Sequence, residues 1–280
     1  EGVVTGQNSV FLLPKNEAQK LGLEEALLKP ALQGKHIERY YLEELTHVLL
    51  YPYKAVGGQT IPLSEEELRV NFPRIYDYLS SKRHLRHDQG GLSGREYFDA
   101  SSKLWYELWN QRSFDKQAVK KIVVQEISIE ARFSLSDEAQ FYLDTTSGII
   151  PKERALPSLY FLLGLLNSRL LEYYYKRTTV PKASGFYIYK HMFLRSLPIR
   201  RIDISDPGEK AMHDRVVRLV EEMLELQERI SPIRDTPCNE RDELLRAIEQ
   251  KDREIDQAVY DLYGLTEEER RIVEGAADSG

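Results

Sequence analysis

Apolar and polar positions follow one rhythm up to about residue 204 and another beyond it. Residues 3–13 alternate as a strand pair does, split by the polar turn Thr5-Gly6-Gln7-Asn8. Residues 16–28 carry a weak helical period that ends at Pro30. HVLLYPY, 47–53, is a continuous apolar run of strand length, and Gly57-Gly58 after it signals a hairpin turn. Ser64 followed by Glu67 forms a capping box, which opens a helix that Pro73 divides. The second part, 74–86, repeats Ile75, Tyr78, Leu79 and Leu85 at helical spacing, and DQGGLSG, 88–94, reads as a loop. KKIVVQEISI, 120–129, and residues 131–135 read as successive strands. PSLYFLLGLLNSRLLEYYYK, 157–176, reads as one long apolar helix opened by Pro157. Residues 183–199 read as a strand with a short turn or helix, closed by Pro198.

Past residue 205, Val216, Leu219, Met223, Leu226 and Ile230 fall on a heptad seam. Leu245, Ile248, Ile255, Val259 and Leu262 make a second one, interrupted by the polar Asp252. The proline-containing stretch SPIRDTPCNE, 231–240, joins them, so the two helices are expected to fold back on each other. The expected class is α+β: a mixed-sheet body over 1–204, then an antiparallel, coiled-coil-like α-helical hairpin over 205–280.

Composition adds bounds. With 280 residues, 41% of them hydrophobic, the chain can bury one large core or two smaller ones. No apolar run nears the roughly 18 residues of a membrane span, so no membrane partner is expected. The first residues, EGVVTGQNSVFLLP, lack the basic start of a signal peptide and an initiator Met, so either a longer parent polypeptide or a start that was removed is expected. A single cysteine, Cys238, excludes an internal disulfide framework and fits a cytoplasmic protein.

Charge alters the picture more. The net charge of -6 hides an asymmetry. Residues 205–280 hold 11 Lys/Arg against 21 Asp/Glu, whereas 151–201 hold 10 against 2. A polyanion-binding body followed by an acidic tail is the implied arrangement. SGFYIYKHMFLRSLPIRR, 184–201, concentrates it, with cations and aromatics and no acid.

No glycine-rich nucleotide loop, nucleophile elbow or paired cysteine is present. His84-x-x-His87-Asp88 is the nearest approach to a metal set, but beside Lys82, Arg83 and Arg86 it reads as a solvated basic helix end, and no metal is expected. Nothing forms a catalytic constellation. Lys and Arg neutralise phosphates and release counterions. The candidate DNA contacts are therefore Lys82, Arg83, Arg86 and Arg95 in one group, and Lys182, Tyr187, Tyr189, Lys190, His191, Arg195, Arg200 and Arg201 in another. Lys35 and Arg39 meet phosphate or pair with Glu43 and Glu44, while Trp105 and Trp109 suit a core.

The ordered series GVVTGQNSVFLL, LKPALQGKHIERY, VLLYPY, FPRIYDYLSSKRHLRHD, LWYELWNQR, KIVVQEIS, RFSLSD, LLGLLNSRLLEYYYK and FLRSLPI resembles the C-terminal target-recognition domain of TaqI-like adenine-N6 DNA methyltransferases, a group that includes type IIG restriction-modification enzymes. The resemblance spans roughly 2–275. It implies duplex DNA as partner, together with a methyltransferase domain of the same parent polypeptide. That domain would bind S-adenosylmethionine and flip the adenine. This chain has no Pro-Pro pair and so lacks the family's catalytic motif. The implied cofactor belongs outside the chain, which alone is expected to transfer no methyl group. A different class of function is a protein-interaction module acting through the hairpin, whose seam would also serve a dimer with Asp252 setting register.

Overall fold

The computed structural model describes residues 1–95, 98, 102–150 and 158–277, with side chains to 275. The α-helices are α1 (Asn8–Phe11), α2 (Lys15–Lys20), α3 (Glu65–Asn71), α4 (Pro73–Arg83), α5 (Phe114–Gln117), α6 (Leu159–Asn167), α7 (Arg169–Thr178), α8 (His191–Leu194), α9 (Pro207–Ile230), α10 (Asn239–Tyr263) and α11 (Glu267–Ala277). The strands are β1 (Leu12–Pro14), β2 (Leu28–Leu32), β3 (Ile37–Glu38), β4 (Tyr41–Leu42), β5 (His47–Leu50), β6 (Tyr53–Val56), β7 (Gln59–Pro62), β8 (Lys121–Gln125), β9 (Ile127–Ser128), β10 (Phe133–Ser136), β11 (Phe141–Tyr142), β12 (Thr146–Ile149) and β13 (Tyr187–Ile188). None of these helices is long and apolar enough to cross a membrane. The chain forms two compact units: 1–36, 44–120 and 136–150 in the first, 37–43, 121–135 and 151–280 in the second.

In the first unit a mixed sheet has the order β1-β5-β2-β11, with β11 parallel to β2 and the other pairs antiparallel. Its core gathers Phe11, Leu49, Tyr51, Tyr106 and Phe141. Tyr51 meets Phe114 and Phe141 edge-on, the arrangement that ring quadrupoles favour. Gly57 and Gly58 both take positive φ, 57° and 77°, and turn β6 into β7. The capping box is complete: Glu67 N–H donates to Ser64 Oγ at 3.1 Å, and Ser64 N–H to Glu67 Oε2 at 2.8 Å. Pro73 starts α4, as the sequence suggests.

Two expectations fail here. Residues 3–13 are not a strand pair: Val3 and Val4 make single bridges, α1 follows, and only β1 is extended. The helix expected over 16–28 stops at Lys20, and Pro30 lies in β2 opposite Val48. A weak helical period gives way there to pairing with β5. The Gly6 loop is held by Gln7, whose amide nitrogen donates to the carbonyls of His87 and Gly91, both at 2.9 Å. Both N–H groups of this buried amide are thereby satisfied.

In the second unit β8 pairs with β10, β9 with β13 and β3 with β4. The long apolar helix is two helices. Ser168 has ψ 146° and ends α6, while its hydroxyl accepts Leu171 N–H at 3.3 Å and caps α7. Pro157, expected to open it, lies outside the described residues.

Helices α9 and α10 pack antiparallel, since Arg215 pairs with Asp261 at 2.8 Å and Glu222 with Lys251 at 2.5 Å. The seam is not presented outward. His213, Val216, Val220, Met223 and Gln227 are buried, and Val216 and Val220 close on Gly164 of α6. Leu226, Leu245 and Ile248 are only half-buried. Packing on α6 therefore rotates the hairpin away from a symmetric coiled-coil seam. For the same reason the compact units do not divide at residue 204: the hairpin shares a unit with 151–204. Asp252 accepts from Arg39 at 2.6 Å, so it serves the chain's own interior. Arg39 accordingly pairs with neither Glu43 nor Glu44.

One turn on, Asp256 is 3% exposed and accepts Arg169 N–H at 2.9 Å, holding the start of α7. Burial pushes its carboxyl up to about 6 from 3.8, and Asp252 adds to this, against the pull of Arg39 and Arg169. A folded-state value above the unfolded one means that the folded chain binds the extra proton between about pH 4 and 6. Stability from this group is then present at low pH and lost as pH rises through about 6. Moving from pH 7 to 5 should gain about 1 kcal/mol. Asp256→Asn keeps the acceptor for Arg169 and should remove that gain. Melting curves of both proteins at the two pH values check this, and an equal gain in the variant would refute it.

Candidate nucleic-acid interface

The twelve candidate residues fall into separate units, four in the first and eight in the second. In the first unit Arg95 is an internal strut. It is 3% exposed, donates to the carbonyls of Glu107 and Trp105 at 2.8 and 2.6 Å, and its guanidinium lies 3.4 Å from the Phe98 ring centre. Burial lowers its pKa to about 10. Its place among the exposed cations is therefore corrected: the side chain is buried, and its two terminal nitrogens donate to backbone carbonyls. Arg83 sits over Trp105 at 4.7 Å and 3.6 Å from Glu65. Arg86 is exposed but pairs with Asp88 at 2.7 Å, and half-buried Lys82 stands over Tyr78 at 5.7 Å. Local acids thus mute much of this group's charge. Trp105 is half-buried, whereas Trp109 is 37% exposed and only partly core.

In the second unit Tyr189 is also corrected. It is 1% exposed, stacked on Tyr175 at 4.8 Å and edge-on to Phe133 at 6.3 Å. It directly follows β13 and packs between Tyr175 and Phe133, and burial raises its hydroxyl far above the usual tyrosine value. Tyr187 is half-buried, with the Lys176 ammonium 5.9 Å from its ring centre. Lys190 approaches Glu126 at 3.3 Å, and Arg200 pairs with Glu209 at 3.0 Å.

Lys182, His191, Arg195 and Arg201 remain. All four are exposed, and they make no ion pair among the described residues. They stand on loop, on the one-turn helix α8 and just after it. Arg177, exposed in the last turn of α7 with its guanidinium 5.0 Å over Tyr173, joins them. Sequence reasoning misses it by treating that helix as structural, although Lys176-Arg177 at a helix C-terminus is a legible signal. Ser184 takes φ 65° beside Gly185 at 76°, a tight left-handed turn that sets the approach to β13. A surface of unpaired cations on a short, turn-shaped segment is suited to polyanion binding.

The family model described as a TaqI-like C-terminal specificity domain matches residues 29–199. The type II methyltransferase M.BanIII of Aneurinibacillus aneurinilyticus is 29% identical over 44% of this chain and 22% of its own length. The type II restriction enzyme and methyltransferase RM.Eco57I of Escherichia coli is 22% identical over 78% of this chain and 22% of its length. The type II methyltransferase M.HindII of Haemophilus influenzae is 25% identical over 81% of this chain and 42% of its length. The chain thus spans less than half the length of each of these relatives. Among solved structures, the type IIL restriction-modification enzyme MmeI in complex with DNA superposes with a TM-score of 0.63 at 14% identity, over 97% of this chain and 34% of that one. That likeness supports the fold.

Proposed function

This chain belongs to the TaqI-like C-terminal specificity domain family, and we propose that it recognises a specific duplex DNA sequence on behalf of an adenine-N6 methyltransferase. The observation that carries the reading is the acid-free segment 182–201, which presents Lys182, His191, Arg195 and Arg201 unpaired in a chain of net charge -6. Phosphate contacts from such cations fix register on the duplex, while neighbouring side chains read base edges. Extruding a base costs a few kcal/mol, and a firm hold on the flanking duplex offsets it.

The methyl donor, S-adenosylmethionine, is assigned to a catalytic part of the parent protein. The Gly6 turn leads from the Val3 and Val4 bridges only into the four-residue α1, too short a helix to hold that ligand's anionic end, which supports the assignment. On this reading catalysis belongs to another part of the parent protein, in the type IIG arrangement of methyltransferase and nuclease. The interaction-module reading is not favoured, because most of the hairpin seam is buried within its own unit.

Fluorescence anisotropy with duplex DNA across a salt series tests the reading. Binding should weaken with a log-log slope of several units, and Lys182→Ala/Arg195→Ala/Arg201→Ala should flatten it by about 2–3 units, near 0.9 for each phosphate no longer neutralised. A slope equal in variant and parent would remove the segment from the interface.

A further inference from the structure

The cation-bearing segment has little structure of its own. Strand β13 has two residues and α8 has four, too few to persist unaided. External tethers therefore hold the segment in place. Tyr189 N–H donates to the Glu126 carbonyl at 2.8 Å, and Tyr187 and Ile188 pair with Ser128 and Ile127. From the other side, the Tyr175 hydroxyl on α7 donates to the Ile188 carbonyl at 2.5 Å, while its ring stacks on Tyr189 with a 13° interplanar angle.

Helix α7 is itself fixed at its start by the Ser168 cap and by Asp256. The stacked pair is chemically asymmetric. The Tyr175 hydroxyl reaches the strand backbone, whereas the Tyr189 hydroxyl is buried without a hydrogen-bond partner among the described residues. One ring thus contributes a tether and a stack, the other a stack alone.

We propose that Tyr175 is a positioning residue for the DNA-facing segment 182–201, holding β13 through the Ile188 carbonyl so that the cations on either side keep one geometry. The proposal rests on the DNA-binding reading above for its ligand, but the tether itself does not. Preorganisation of this kind lowers the cost of ordering the segment when the duplex arrives.

The test compares Tyr175→Phe with Tyr189→Phe in the full chain. Hydrogen exchange of the 187–195 amides is followed without DNA, and duplex affinity by anisotropy. Losing one hydrogen bond should speed exchange across 187–195 about 5-fold in Tyr175→Phe and weaken DNA binding by about 3–5-fold, with the melting temperature nearly kept because both rings remain. Tyr189→Phe, which loses only an unpartnered hydroxyl, should change neither. A melting temperature that falls with exchange accelerated everywhere would assign Tyr175 a merely structural role. Unchanged exchange in Tyr175→Phe would overturn the tether. Faster exchange with unaltered affinity would overturn its link to DNA. Failure of the parent chain to bind duplex even at low salt would overturn the DNA-binding reading itself and the DNA half of this proposal, while the exchange arm still decides the tether.

Discussion

Asn167→Leu should destabilise the second unit by about 2–4 kcal/mol, although the side chain keeps four heavy atoms branched at Cγ. Asn167 is 1% exposed and lies at the end of α6. Its Oδ1 accepts Phe133 N–H at 2.9 Å, and its Nδ2 donates to the Phe133 carbonyl at 2.9 Å. The amide thus pairs with the backbone of β10 as a neighbouring strand would. Leucine would leave the buried Phe133 N–H with no acceptor, and an unmet buried donor costs more than the bond itself contributes. The Phe133 carbonyl would keep its second donor, Tyr40 N–H at 3.0 Å, which bounds the loss. Asn167→Asp separates the two halves of this pairing. It retains an acceptor for Phe133 N–H but sets a second oxygen against the Phe133 carbonyl, so it should be about as damaging at pH 7 and recover in acid, where the protonated carboxyl donates. Urea unfolding at pH 7 and pH 4 checks both. A leucine variant within about 0.5 kcal/mol of the parent would mean that the pairing contributes nothing.

The same residue shows what is legible in the sequence. LLNSRL is visible as a string, but its meaning lies in Phe133, which is 34 positions away. Signals contained within a few residues are read correctly: the Ser64/Glu67 box, the Gly57-Gly58 turn and the break at Pro73 each state their own chemistry. The break at Ser168 is equally local, but the unbroken apolar period around it masks the capping serine. Side-chain destinations are the least legible. Arg95 and Tyr189 match exposed cations and rings in type, yet the first is claimed by carbonyls 10 and 12 residues along, and the second by the rings of Tyr175 and Phe133. Arg39 finds Asp252 at a separation of 213 residues, which no local pattern encodes. The basic character of 182–201 is legible because it depends on the lack of acids along the chain. Which cations stay free depends on Glu126 and Glu209, which come from other elements.

Gly164→Leu is expected to have an effect of similar size, about 3 kcal/mol, through overpacking rather than a missing bond. A Cβ at Gly164 would lie 2.9 Å from methyl carbons of both Val216 and Val220, with Ile255 at 3.8 Å behind them. Both valines are fully buried on α9 and stiff at χ1, so neither can rotate aside. Gly164→Ala should cost less, because it adds one methyl group rather than four carbons to the contact, while gaining about 1 kcal/mol of helix propensity over glycine. Pairing Gly164→Ala with Val220→Ala should recover part of the remaining loss, which a propensity effect alone would not produce. Thermal unfolding of the two single variants and the double variant separates these contributions. The sign also bears on how the hairpin works. If close approach of α6 and α9 holds the acidic hairpin to its unit, Gly164→Leu should free an apolar seam that binds a hydrophobic dye and drives association. If Gly164→Leu melts like the parent, the hairpin is joined more loosely than the 2.9 Å approach implies, and a role for its seam in meeting another protein would regain force.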